Sequence, residues 1–273
     1  MIKSVVIIGT GALATFYGTK WINMYRVSVL GTWDVSINAL NKIDGIEAFL
    51  NWHSANEPDL VVWLTKTYKN EEALEKYSKL RWSCPILILQ NGIGQKEHFR
   101  KTLGEQQKLF SGITTQGAKL IDPGKVVNTG NGDLIVEKAR FLEGFPAIQD
   151  SNIDEALLKK LAVNCVLNTV TALFNVKNGD AVKGEPLIKV KELVKLCFPY
   201  FEKRMIFTSE KEYLNFVNEV ANKTSENINS MLSDLLSGRE TEINQILGPI
   251  QVDIKSVELQ NIISRIHKRS IVF

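Results

Sequence analysis

The stretch VVIIGTGALA, residues 5–14, decides how the first half of the chain folds. Val5 to Ile8 form an unbroken β-branched run, as expected of a strand buried on both faces of a parallel sheet. The run leads directly into Gly9-Thr10-Gly11-Ala12-Leu13-Ala14, a GxGxxA motif. Gly9 permits the tight turn after the strand, Gly11 lets backbone approach a pyrophosphate, and Ala14 is small enough for the next helix to lie on the strand. That helix, expected over residues 12–23, aims the positive end of its dipole at the phosphates. A glycine turn that only joins strand to helix would carry the same spacing. The strand before it and the helix after it supply the context a dinucleotide loop requires.

Outward from this motif the chain alternates strands and helices. A second strand, residues 26–30, ends at Gly31-Thr32-Trp33-Asp34. An acidic residue at that point binds the ribose hydroxyl of NAD, and a nearby arginine accepts the 2′-phosphate of NADP. Thr32 is neutral, and Asp34 stands a little late and would serve equally as a helix N-cap, so these residues leave the cofactor open. Further strands, residues 59–64, 85–89 and 108–112, run to Thr65-Lys66-Thr67, to Gln90-Asn91-Gly92-Ile93-Gly94 and to Thr114-Thr115. Ligands of open α/β sheets sit outside the carboxyl ends of strands, which makes Lys66, Asn91 and residues 114–118 candidates. Taken singly, a solvated loop lysine and an Asn-Gly turn explain the first two as well. Residues 123–136 read as a glycine-turned β-hairpin closing the edge of the sheet. After Phe145-Pro146 the strand signals stop. Helices are expected over residues 154–175, 189–204 and 210–234 and from 241 onward. The switch from alternation to helix alone gives an α/β chain: an N-terminal Rossmann dinucleotide-binding domain, residues 1–151, then an all-α domain, residues 152–273.

The first of those helices is apolar on most sides, yet Lys160, Asn164 and Asn168 recur every four residues and form one polar row along it. A buried amide without a partner costs about 1–3 kcal/mol, and a buried unpaired ammonium costs more or gives up its proton. The row therefore marks a wet or ligand-filled cleft, unless it faces solvent or joins interhelix hydrogen bonds. Downstream, Asn227 and Ser230 are three apart, on one face of the expected helix. Glu242 falls early in the next helix, where the dipole alone would favour a carboxylate. The three histidines, His53, His98 and His267, sit in no motif. A reductase built on this chain would use a lysine as its acid, workable near neutral pH if a dry site lowers its pKa.

Composition excludes other classes. Of 273 residues, 44% are hydrophobic and 23% charged, ordinary for globular domains, and the net charge of +3 comes with no basic block, so nucleic acid is not expected as a partner. Cys84, Cys165 and Cys197 are odd in number and too far apart for a zinc site, and read as buried thiols in a reducing compartment. The apolar run at Val5 ends too soon for a signal peptide. No segment approaches the roughly 18 apolar residues of a membrane span, so a cytoplasmic location without membrane contact is expected.

GTGALA at residues 9–14, TKTY at 65–68, QNGIG at 90–94, KLAVNCVLNTVTALFNVKNG at 160–179 and SENINSMLSDLLSGRETEI at 225–243 resemble, in order, the ketopantoate reductase (2-dehydropantoate 2-reductase) family. The resemblance covers nearly the whole chain. It implies reduction of the small-molecule 2-oxoacid 2-dehydropantoate to pantoate with NADPH, a step of pantothenate and coenzyme A synthesis. It also implies an active site in the cleft between a Rossmann and a helical domain. By the same resemblance Lys160 is the catalytic proton donor, and Asn164, Asn168, Asn178, Asn227 and Ser230 bind substrate with it. Gly9, Thr10, Gly11, Ala12, Leu13 and Ala14 form the pyrophosphate loop, Lys66, Asn91 and Ala118 make further cofactor contacts, and Glu242 lies near the nicotinamide end. No metal is implied, and the assembly is a monomer or homodimer. Thr32 stands where the family usually has an arginine for the 2′-phosphate, which leaves NADH open, and residues 33–60 and the segment after Glu242 are shorter than usual. A related 2-oxoacid reductase and a non-catalytic nucleotide sensor are the competing readings.

Overall fold

The computed structural model describes residues 1–271. The last two residues of the expected helical domain lie outside the described residues. The chain divides into two compact units, Met1–Gln90 with Gly94–Ile153, and Asn91–Ile93 with Asp154–Phe273.

The first unit contains β1 (Ser4–Ile8), α1 (Ala12–Trp21), β2 (Arg26–Leu30), α2 (Asp34–Leu40), β3 (Ile46–Phe49), β4 (Leu60–Trp63), α3 (Asn70–Ser78), β5 (Ile86–Ile88), α4 (Gln95–Leu103), β6 (Leu109–Thr114), β7 (Gly117–Asp122), β8 (Lys125–Gly130), β9 (Leu134–Glu137) and β10 (Ile148–Asp150). Eight strands make one sheet in the order β10-β9-β6-β5-β4-β1-β2-β3. From β3 to β6 all neighbours are parallel, in the 3-2-1-4-5-6 order of a doubly wound dinucleotide-binding sheet. Alternation along β1 sends Val5 and Ile7 to the core on one face and Val6 and Ile8 to the core on the other. That two-sided burial is why the strand reads as a continuous apolar run.

Two expectations for this unit need correction. The hairpin is β7 and β8, turning at Gly124 with φ +72°, and it forms a two-stranded sheet of its own against α1 instead of closing the edge of the main sheet. Its strands carry Lys119, Asp122, Lys125 and Asn128, too polar for a place in a sheet buried on both faces. The main sheet is extended by β9, antiparallel to β6, and ends on β10, which follows Phe145-Pro146 where no further strand is expected. Such short strands, β3 among them, leave too little alternation to read.

The second unit contains α5 (Ile153–Val163), a π turn (Asn164–Asn168), α6 (Thr169–Phe174), α7 (Asn178–Ala181), α8 (Gly184–Glu202), α9 (Glu210–Lys223), α10 (Ser230–Leu236), α11 (Ile243–Ile254) and α12 (Val257–Ile271). From Ile153 to Phe174 the helix is continuous, 22 residues, long and apolar enough to cross a membrane, contrary to the expectation of no such segment. Its apolar side chains, among them Leu161, Val166 and Val170, are instead the centre of this unit's core. The helix expected over residues 210–234 is two helices. Thr224, Ser225 and Asn227 offer side-chain bonds that compete with the helical ladder, and the Asn229 carboxamide restarts it by accepting the Leu232 N–H (3.1 Å). The C-terminal helix also divides, at Lys255 in the left-handed region (φ +56°).

Candidate active site

In the first unit the glycine loop lies at the topological switch point, where β1 neighbours both β2 and β4. Gly9 has φ +122°, and a Cβ there would stand 2.9 Å from the Leu64 carbonyl oxygen. Its N–H donates to Leu30 O (2.9 Å), while Leu64 N–H donates to Ile8 O (2.9 Å), so the ends of the three strands are tied together at this turn. Gly11 caps α1 with no side-chain hydrogen bond, and a Cβ at Gly11 would meet nothing within 4 Å. Gly11 thus leaves open space at the positive end of the helix, and Ala14 is buried behind it. This cradle fits a pyrophosphate.

At the end of β2, Gly31 is held by the Trp52 indole N–H (2.9 Å), and Thr32, Trp33 and Asp34 are all exposed. Trp33 takes the N-cap position of α2. Asp34 is its first residue, and its carboxylate accepts the Val35 N–H (2.8 Å). Asp34 is therefore not the cap. Lys66, half-buried, opens the short turn after β4, and its carbonyl accepts the Lys69 N–H (2.9 Å). A buried amide cluster stands behind both flanking loops: the Gln90 amide N–H donates to Thr65 O (2.8 Å) and to the Asn70 side-chain oxygen (2.7 Å). Ala118 lies on the hairpin opposite Asn128.

In the second unit Lys160 is in the last turn of α5, and the π turn begins at Asn164. The turn's i→i+5 bonding widens the helix and re-aims the side chains after it, so the expected row is not straight: Asn164 is half-buried and Asn168 is 5% exposed. The Ala162 carbonyl at its entrance accepts the Tyr213 hydroxyl (2.7 Å) and the Cys165 thiol (3.2 Å). Burial pushes the Lys160 pKa down from 10.5 to about 8, and the Glu242 carboxylate opposes that shift. The lysine keeps part of its surface, so the depression comes from the mass of protein around the ammonium, not from complete exclusion of water. Glu242, 5% exposed, occupies the N-cap position of α11 and accepts the Asn91 side-chain N–H (2.9 Å). Lys160, Glu242 and Asn91 are thereby brought together. Gly92, φ +86°, leaves no room for a side chain against Gln245 O at 2.8 Å.

Asn178 and the loop before α10 form a second group. Asn178 N–H donates to Asn227 O and Gly179 N–H to Ser225 O, each 3.0 Å. Asn227 precedes α10 and Ser230 is its first residue, so the two do not share a helical face as expected. Asn229 between them was invisible as a site residue. Its only sequence signal is an N-cap residue type before an apolar run. Among the described residues no three His, Cys, Asp or Glu side chains gather as a metal site, and Cys84, Cys165 and Cys197 are buried and free.

Comparison with known proteins adds to this geometry. The family described as "Ketopantoate reductase PanE/ApbA" matches residues 5–140, and "Ketopantoate reductase PanE/ApbA C terminal" matches residues 152–251. The 2-dehydropantoate 2-reductase of Pyrococcus abyssi is 30% identical over 94% of this chain and 92% of its own. Among solved structures, a probable 2-dehydropantoate 2-reductase from Bacillus subtilis superposes with a TM-score of 0.80 at 23% identity, covering 97% of this chain and 99% of that one. A D-mandelate dehydrogenase, solved with NADH and anilino(oxo)acetate, superposes with a TM-score of 0.86 at 19% identity, covering 98% of each chain. At those identities the two structures speak for the fold alone.

Proposed function

Since the chain belongs to the ketopantoate reductase family, we propose that it reduces 2-dehydropantoate to pantoate in pantothenate and coenzyme A biosynthesis, with NADPH as reductant. The nicotinamide cofactor, when bound, supplies the hydride that the ketone carbon receives. Residues Gly9 to Ala14 hold its pyrophosphate, Lys66 answers the 2′-phosphate, and Asn91 and Ala118 complete its contacts.

Lys160 hydrogen-bonds the ketone oxygen and gives it a proton as negative charge develops there. Asn164, Asn168, Asn227 and Ser230 hold the carboxylate and hydroxyl of the substrate and so fix the ketone. Asn178 belongs to the same group. Glu242 keeps Lys160 protonated more than burial alone would allow, and its bond from Asn91 fixes the carboxylate. The observation that carries this reading is a lysine with its pKa lowered to about 8, beside a buried glutamate, on a helix that also bears Asn164 and Asn168.

The test is NADPH oxidation with 2-dehydropantoate by the native protein and by Lys160→Ala, which should be slower by about 10²-fold or more. An inactive native protein sinks the reading and turns attention to other 2-oxoacids, then to a nucleotide sensor. A parallel NADH assay is needed because Thr32 and Asp34, both exposed, put no cation at the end of β2.

A further inference from the structure

Asn229 has a hydrogen-bond pattern that reaches three of the substrate candidates at once. Its side-chain oxygen accepts the Leu232 N–H (3.1 Å) and starts α10, the helix whose first residue is Ser230. Its amide nitrogen donates to Asn178 Oδ1 (3.0 Å) and, in a close contact, to the Thr171 hydroxyl. Thr171 in turn donates to the carbonyl of Asn168 (3.0 Å), the last residue of the π turn. On the other side Asn178 Nδ2 donates to the Thr224 hydroxyl (2.9 Å), which donates to Val220 O (2.7 Å).

The direction of every bond in this chain is fixed by its ends. Each threonine hydroxyl has one proton and gives it to a helix carbonyl, so each must accept from its amide neighbour. Thr224 therefore faces the Asn178 nitrogen, which leaves the Asn178 oxygen toward Asn229. Thr171 likewise requires the Asn229 nitrogen. Thr171 and Asn178 are buried, where a partly satisfied chain would be costly. The Asn178 carboxamide is thus engaged at both ends by protein.

We infer that Asn229 is a positioning residue for the substrate half of the site, locking the π turn, the Asn178 loop and the Ser230 helix into one frame, and that Asn178 serves as a member of this frame. The inference rests on the 2-oxoacid reductase reading above, and its test separates the two.

Asn229→Ser keeps a neutral N-cap but removes the amide bridge, whereas Asn229→Ala removes both. Asn229→Ser should lose less melting temperature than Asn229→Ala, raise KM for 2-dehydropantoate about tenfold with little change in kcat, and leave the Kd for NADPH, read by cofactor fluorescence, unchanged. Hydrogen exchange at the backbone N–H groups of Asn178 and Gly179 should quicken in Asn229→Ser, because their loop loses its tie. An unchanged KM with unchanged exchange overturns the inference. So does a KM rise that appears only in Asn229→Ala together with its loss of melting temperature, which would make Asn229 a cap and nothing more. If the native protein reduces no 2-oxoacid, the functional reading falls, and the exchange result alone decides whether the frame exists.

Discussion

Lys160 is charged at neutral pH at a cost. Its folded pKa, about 8, lies below its usual 10.5. Below pH 8 both folded and unfolded chains carry the proton, and the fold bears the full cost of a poorly solvated ammonium. Between pH 8 and 10.5 the unfolded chain binds a proton that the folded one has released, so this group makes stability rise with pH across that window. Lys160→Met should therefore stabilise the protein at pH 7 by about 1–3 kcal/mol, a figure reduced for the surface the lysine keeps, and the gain should vanish above pH 10.5. Urea melts at several pH values check it. The same protonation predicts ketone reduction that is flat below pH 8 and falls above it. Glu242 raises the pKa, so Glu242→Gln should move the fall to lower pH; a fall that stays in place would remove Glu242 from this role. A lysine recurring with Asn164 and Asn168 was legible because buried charge is rare. The partnership with Glu242 was not, since 82 positions of sequence separate the two residues and no spacing rule connects them.

At the scale of elements, the π turn is the feature that periodicity could not show. Apolar residues surround it on both sides, so the sequence pattern continues as if the helix were regular. What secures it is Tyr213, on α9, whose hydroxyl reaches the Ala162 carbonyl with no exposure of either residue. Tyr213→Phe should remove a buried hydrogen bond from that carbonyl and destabilise the fold by about 1–3 kcal/mol, measured by denaturant unfolding. If the turn also sets where Asn164 and Asn168 point, KM for the 2-oxoacid should rise in the same variant, while a variant that loses stability with KM intact would show the turn to be structural only. At the C-terminal end of the same helix the Arg269 guanidinium donates to Ala172 O (2.7 Å) and Leu173 O (2.6 Å), a second long-range tie. The break between α9 and α10 is legible in the residue types: Thr224, Ser225, Asn227 and Asn229 are cap and turn residues, and their side-chain chemistry outweighs the helical spacing of Asn227 and Ser230. The hairpin differs for the opposite reason. Gly124 marks its turn while Gly130 lies inside β8, and only the burial of the strands tells which sheet they join.

For the whole molecule, the alternation of strands and helices followed by helices alone carried the fold class, and family membership agrees with it. The glycine loop belongs to the first unit, whereas Lys160, Asn164 and Asn168 belong to the second. Cofactor linkage should respect that division. A ligand at a hundred times its Kd stabilises the fold that binds it by about 2.7 kcal/mol, which for domains of this size raises the melting temperature by roughly 5–10 °C. Gly9→Ala places a Cβ at φ +122° and 2.9 Å from Leu64 O, so either the turn opens or the strands part. Its melting temperature should fall without ligand and should no longer rise with NADPH. Asn164→Ala leaves the glycine loop untouched and should keep the full rise with NADPH while losing turnover of the 2-oxoacid. Equal NADPH shifts in native protein and Gly9→Ala would mean that the dinucleotide is held elsewhere, and the cradle at the end of β1 would then be a turn that only joins strand to helix.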